Sequence, residues 1–365
     1  MVNRKAEHVE ICLYEDVEGH VNTMFDDVDL VHQALPGLSF EEIDISTNFL
    51  GKKISAPIVI SGMTGGTEEL GRLNSIIATA AEKTGIAMGV GSQRVALERS
   101  ETRESFAVVR RIARDIPVIA NIGAPQLLRG YGVRELEEAI SMVEADAIAV
   151  HFNPAQEVFQ PEGEPDYSDR LLTVLSEVIK SLGVPVIVKE TGTGLAMETV
   201  SKLRRVGVTH FDVQGAGGTS WVAVEMFRGR RRGNWKWRSA DVFKGWGVPT
   251  AASIIETRFA APDSFIIGSG GIRNGLDGAK ALALGADLVG MALPAMRAAV
   301  KGAEALGEFV EDFKFQLKVA SFLVGAKDVR DIKKTPLVIS GKLRDWVTSR
   351  GLDLSVYTKV RAGRA

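Results

Sequence analysis

The sequence predicts an α/β chain folded as a (β/α)8 TIM barrel, with an N-terminal extension and C-terminal helices. Three observations predict it. Eight short apolar runs of strand length recur from residue 56 onward. Each is followed by glycine or polar residues, then by a segment whose apolar positions have helical spacing. The runs are apolar throughout rather than alternating, so both faces of each strand are buried, as in a parallel sheet.

The runs are APIVISG (56–62), AMGVGS (87–92), PVIANIG (117–123), AIAVHFN (147–153), PVIVKET (185–191), HFDVQG (210–215), SFIIGSGG (264–271) and LVGMAL (288–293). Most lie roughly 25 to 40 residues apart, which suits a right-handed crossover helix and two loops. The interval between the sixth and seventh is the longest and holds an insertion. Eight such units favour a closed barrel over an open sheet. Between them, ELGRLNSIIATAAEKTG has helical periodicity and ends in glycine, and VRELEEAISMVEAD and METVSKLRRVG behave likewise. Beyond residue 294 the chain reads as amphipathic helix through Trp346, expected to close the barrel and add an outer face. Residues 1–55 show no strand–helix alternation and are expected to form an extension ahead of a barrel spanning 56–365.

Composition agrees. The chain has 365 residues, 45% hydrophobic and 25% charged, ample for a large core. A net charge of −2 gives no footing for nucleic acid or an anionic membrane. One cysteine, Cys12, excludes a disulfide framework and a cysteine zinc site within one chain, and fits a reducing cytosol. The start MVNRKAEHVE lacks the apolar run of a signal peptide, and no apolar stretch approaches the ~18 residues of a membrane span. The expectation is a cytoplasmic protein.

Barrels of this kind hold their active sites at the C-terminal ends of the strands, and here those ends are polar. GSGGIRNG follows the seventh run and opens a helix. Its glycines let backbone N–H groups approach an anion, and loops after the last two strands commonly bind phosphate. Arg273 stands beside them. Lys189 ends the fifth run after four apolar residues. There it is desolvated unless something anionic meets it: a Schiff-base partner, a carboxylate or an electron-rich flavin edge. HFNPAQE crowds His151, Asn153, Gln156 and Glu157 into seven residues. Glu157 is the natural ligand for a hard divalent cation such as Mg²⁺, held by a carboxylate plus substrate phosphates. Arg4, Lys5 and His8 read either as a solvated basic start or as part of the site. FRGRRRGNWKWR (227–238) reads as a solvated loop, an oligomer contact through Trp235 and Trp237, or an anion-binding lid.

Taken together, NRKAEH, SGMTGG, GVGSQR, HFNPAQE, VKE, GAGGTS, GSGGIR and MAL make the sequence resemble the type 2, FMN-dependent isopentenyl-diphosphate isomerases along nearly its whole length. The resemblance implies interconversion of isopentenyl and dimethylallyl diphosphate, with reduced FMN shuttling the proton, Mg²⁺, and NADPH only priming the flavin. It implies that Gly62, Met63, Thr64, Ser92, Asn121, Lys189, Thr219, Gly271, Ile272, Arg273, Ala292 and Leu293 hold the flavin. Arg4, Lys5, His8, Ser92, Gln93, Arg94 and Gln156 would hold the substrate. His151, Asn153 and Gln156 would form the catalytic centre, and Glu157 would take the metal. It also implies a homotetramer or homo-octamer, with the extension contributing to the substrate site. The enzyme alternative is an FMN-dependent 2-hydroxy-acid oxidase, whose His base would have to be His210, at the wrong end of the sixth strand. An inosine-monophosphate-dehydrogenase-like chemistry needs a loop cysteine, for which Cys12 is misplaced. A flavin-binding structural module is the non-enzyme alternative, disfavoured by the crowded polar strand ends.

Overall fold

A computed structural model describes residues 2–361. Residues 362–365, the end of the expected barrel segment, lie outside the described residues, as does the Asn3 side chain of the NRKAEH motif. Each predicted run contains one barrel strand: β1 (Ile58–Ile60), β2 (Ala87–Gly89), β3 (Val118–Gly123), β4 (Ala147–His151), β5 (Val186–Lys189), β6 (His210–Asp212), β7 (Phe265–Ser269) and β8 (Leu288–Met291). Each pairs in parallel with the next, and β8 returns to β1 through Val289 opposite Ile58, closing the barrel. The helix Glu68–Thr84 shows why the crossovers form. Thr67 caps it by accepting from the Leu70 amide, and Gly85 ends it in the left-handed region.

The extension is not a separate body. Ile11, Val17, Phe25, Val28 and Ile43 share one core with the barrel and its helices. A hairpin, Thr47–Phe49 with Lys52–Ile54, brings Phe49 and Ile54 into the inner cluster of the barrel beside Val59, Ile119, Ile187 and Ile267. Phe49 stacks on Phe265 with ring centroids 5.1 Å apart. The N-terminal end of the barrel is therefore filled by apolar side chains.

Two expectations change. The C-terminal region is not wholly helical: Leu337–Ile339 pairs antiparallel with Val28–Leu30. Pro336 lacks an N–H to continue a helix, and its carbonyl instead accepts from Val31 N at 3.1 Å. The stretch 227–238 is not a single loop. Most of it belongs to the helices Trp221–Arg231 and Trp237–Phe243. Its arginines dock the N-terminal helix Val2–Tyr14. Arg228 pairs with Glu7 at 3.0 Å, Arg231 with Glu10 at 3.0 Å and Glu15 at 2.8 Å, and Arg232 with Glu7 at 2.6 Å. Arg230 and Arg238 lie over the Trp237 ring. Among the described residues no helix is long and apolar enough to cross a membrane.

Candidate active site

Strand periodicity builds the site. Val59, Ile119, Ile187, Ile267 and Leu288 point into the barrel and form its apolar layer. Two residues further along the same faces come Ser61, Asn121, Lys189, Ser269 and Gly290. Asp212 of β6 joins this level, opposite Lys189 in register. The barrel thus changes from oil to polar groups within one side-chain layer. Above it opens a cavity of about 1550 Å³, counting its mouth, lined by residues after all eight strands and by the N-terminal helix and the segment that follows it.

The β4 end is the most densely connected part. Asn153 Nδ2 donates to Gln156 Oε1 and to Glu157 Oε1, both at 3.0 Å, while Asn153 Oδ1 accepts from Tyr167 at 2.7 Å. Asn153 therefore orients Gln156 and Glu157. Gln156 Nε2 donates to Glu225 Oε1 at 3.3 Å, and His8 Nε2 lies 2.8 Å from the same oxygen. Arg228 completes the group, donating to Glu225 Oε2 at 3.1 Å. Burial alone would raise the Glu225 carboxyl, but the His8 hydrogen bond and the Arg228 charge hold it below the usual range. Glu225 escaped the sequence analysis, although an acid inside the apolar run WVAVEMF was a visible signal.

His151 Nδ1 lies 2.8 Å from Asn121 Oδ1, and Asn121 Nδ2 donates to Val90 O, so the amide orientation is fixed. An amide oxygen only accepts, so His151 carries its hydrogen on Nδ1 and leaves Nε2 as an acceptor. Burial, with Lys189 and Lys5 nearby, lowers its pKa to about 3. It is a neutral imidazole at working pH and cannot serve as a strong acid. Lys189 Nζ donates to the Glu190 carbonyl at 2.9 Å. The Glu190 carboxylate is itself taken up by the amides of Thr191, Gly192 and Thr193. Burial lowers the Lys189 pKa, against the opposing pull of Asp212 and Glu190.

Lys5 donates to Ser92 O at 2.6 Å, and burial with Arg4 alongside lowers its pKa to about 7. The ammonium is present below that value and is lost above it. A bound diphosphate would restore it. Substrate capture, read as kcat/KM, is therefore expected to fall as pH rises through about 7, with kcat much flatter. A Lys5→Met variant should lose that limb of the pH profile, and a limb that survives unchanged would belong to another group.

Most expected site residues meet here. Arg4, Lys5, His8, Ser92, Arg94, His151, Asn153, Gln156 and Glu157 all line the cavity, as do Gly62, Met63, Asn121, Lys189, Thr219, Gly271, Ile272, Arg273, Ala292 and Leu293. Two do not reach it. Gln93 is fully buried behind the wall, where Nε2 donates to Ala139 O and Oε1 accepts from Asn121 N, so it shapes the β3 end from outside. Thr64 is buried with Oγ1 unpartnered. Arg94 reaches the cavity already paired with Glu98 and Glu164. Cys12 lines the cavity after all, but burial and then Glu18 push its thiol up to about 12, so it is no nucleophile. His210 lies at the far end of the barrel, beside Thr209 and stacked on Phe265.

The residues present fit a flavin phosphate. Between the β6 and β7 loops, a Cβ on Gly218 would lie 2.5 Å from Gly271 N, so backbone lines this cup where a side chain would fill it. The amides of Gly218, Thr219, Gly271 and Ile272 take no part in the backbone hydrogen bonds of these loops. They also fit Mg²⁺ held by one carboxylate plus phosphates. Among the described residues no three acidic, His or Cys groups cluster for a metal, but Glu157 lines the same cavity as Arg4 and Lys5, its Oε1 accepting from Asn153 and its Oε2 from the Glu164 amide at 2.6 Å.

Comparison with known proteins decides the family. The whole chain aligns with the isopentenyl-diphosphate delta-isomerases of Metallosphaera sedula and Sulfurisphaera tokodaii at 58% identity each, covering 99% and 98% of those proteins. The chain belongs to the isopentenyl-diphosphate delta-isomerase family. A family profile described as FMN-dependent dehydrogenase matches residues 163–339. Among solved structures, a lactate oxidase of Pediococcus acidilactici superposes with a TM-score of 0.65 at 16% identity, covering 93% of this chain and 94% of that one. A flavocytochrome b2 with pyruvate bound superposes at 0.66 and 17%, covering 98% and 88%. That likeness shows the barrel fold.

Proposed function

We propose that this enzyme interconverts isopentenyl and dimethylallyl diphosphate, with reduced FMN in the glycine cup and Mg²⁺ at Glu157. One observation carries the proposal. A glycine cup between the β6 and β7 loops and a basic cluster on the N-terminal helix face the same cavity, which suits a flavin and a short diphosphate held together. Arg4, Lys5 and Arg94 would hold the diphosphate, helped by the metal, and that remote binding energy would position the alkene. Gln156, oriented by Asn153 and Glu225, and the neutral His151 would border the reacting carbons. Neither is acidic enough to protonate an alkene. Reduced FMN, when bound, supplies an acid/base group and an electron-rich face, and Lys189 would bear on its edge. NADPH serves only to reduce the flavin beforehand. A homotetramer or homo-octamer in the cytoplasm is part of the same proposal.

The test is anaerobic incubation with isopentenyl diphosphate, FMN, Mg²⁺ and NADPH. Appearance of the dimethylallyl isomer is expected. Hydroxy-acid oxidation without isomer, or full turnover on oxidised FMN, would overturn the proposal. Two substitutions separate the roles. Gln156→Ala should cost turnover while leaving retained flavin unchanged. Glu157→Ala should raise the Mg²⁺ needed for half-maximal rate by roughly tenfold or more. Equal loss of flavin in both would contradict the split.

A further inference from the structure

The segment after the N-terminal helix lies across the loops of the glycine cup. Ser220 N donates to Val17 O at 2.8 Å, and Ala251 N donates to Thr23 O at 3.0 Å. Thr23 Cγ2 would lie 2.5 Å from a Cβ on Gly217 and 2.4 Å from one on Gly271, so both glycines, at φ +118° and +72°, admit this crossing. Between the two anchors Glu18 reaches the cavity wall. Its Oε1 lies 2.7 Å from Arg273 Nη2, and its Oε2 lies 2.7 Å from Arg297 Nη1. Oε1 is buried and closes no aligned hydrogen bond. Arg273 also donates to Gly217 O at 3.3 Å.

Arg273 lines the cavity beside the glycine cup, with Arg297 behind Glu18, and two guanidiniums together form the donor set that a pyrophosphate grips. Here one carboxylate occupies both. We propose that Glu18 is a specificity-determining residue that restricts the cup to a flavin with a single terminal phosphate and turns away flavin dinucleotides. It neutralises Arg273 and Arg297, and it sets a negative charge where a second phosphate would continue. The anchors at Val17 and Thr23 keep that charge from swinging aside. This inference rests on the flavin site proposed above.

The experiment is a competition. The purified full chain is incubated with equal concentrations of FMN and FAD, desalted, and its retained flavin released by heat and quantified. The wild type is expected to keep FMN. Glu18→Gln preserves size and removes charge, and should raise the retained FAD-to-FMN ratio by roughly tenfold or more. Glu18→Ala should move the ratio the same way, and circular dichroism reports whether each variant is folded. Adding Arg297→Ala to Glu18→Gln removes the cation a second phosphate would use and should bring the ratio back towards the wild type. An unchanged ratio in folded Glu18→Gln that still retains FMN overturns the proposal, as does a raised ratio that persists in the double variant. A wild type that retains neither flavin overturns the flavin site itself.

Discussion

Glu225→Ala is expected to abolish measurable isomerase turnover and to destabilise the fold by about 3 kcal/mol, the lower end for breaking a buried ion pair. Glu225 and Arg228 are each only 1% exposed. Removing the carboxylate leaves Arg228 with Glu7 and Glu162, which soften the penalty. It leaves His8 and Gln156 without their common acceptor. Gln156 then keeps only its Asn153 contact, and the N-terminal helix loses its tie at His8. Glu225→Gln keeps an acceptor for His8 and should retain part of the activity. Denaturant unfolding and turnover on isopentenyl diphosphate are the measurements. Wild-type rates in Glu225→Ala would show that Gln156 and His8 do not need positioning.

Gly218→Ala is expected to cost roughly hundredfold in FMN affinity, about 2.7 kcal/mol. The added Cβ meets Gly271 N at 2.5 Å and Gly270 C at 3.2 Å, and both are backbone. No flexible side chain can give way, so the β6 and β7 loops must part and the cup with them. Gly183→Ala, whose Cβ would meet nothing within 4 Å, is the neutral comparison. Flavin retained after desalting reads both. Undiminished flavin in Gly218→Ala would place the phosphate elsewhere.

The barrel was legible because each strand is buried on both faces and written as a continuous apolar run. Lys189 stood out for the same reason, as a charge where such a run ends. The N-terminal helix was not legible. Its buried face carries Lys5 and His8, which answer to partners more than 80 residues away, so no local apolar stripe announces it. FRGRRRGNWKWR misled in the opposite sense. Its arginines look solvated until Glu7, Glu10 and Glu15 are brought beside them, a pairing that only the fold supplies. Gln93 shows a further limit. It adjoins Ser92 and Arg94 in the motif GVGSQR, yet its neighbours face the cavity while its own amide is spent on Asn121 and Ala139.

The hairpin carrying Phe49 has a consequence for traffic. With the floor of the barrel closed by Phe49 and Ile54, ligands reach the cavity from the opposite end, where the N-terminal helix lines it. On the function proposed above, substrate and product are isomers of equal bulk and charge and pass that helix in turn, so the element proposed to grip the diphosphate would also be the threshold it crosses.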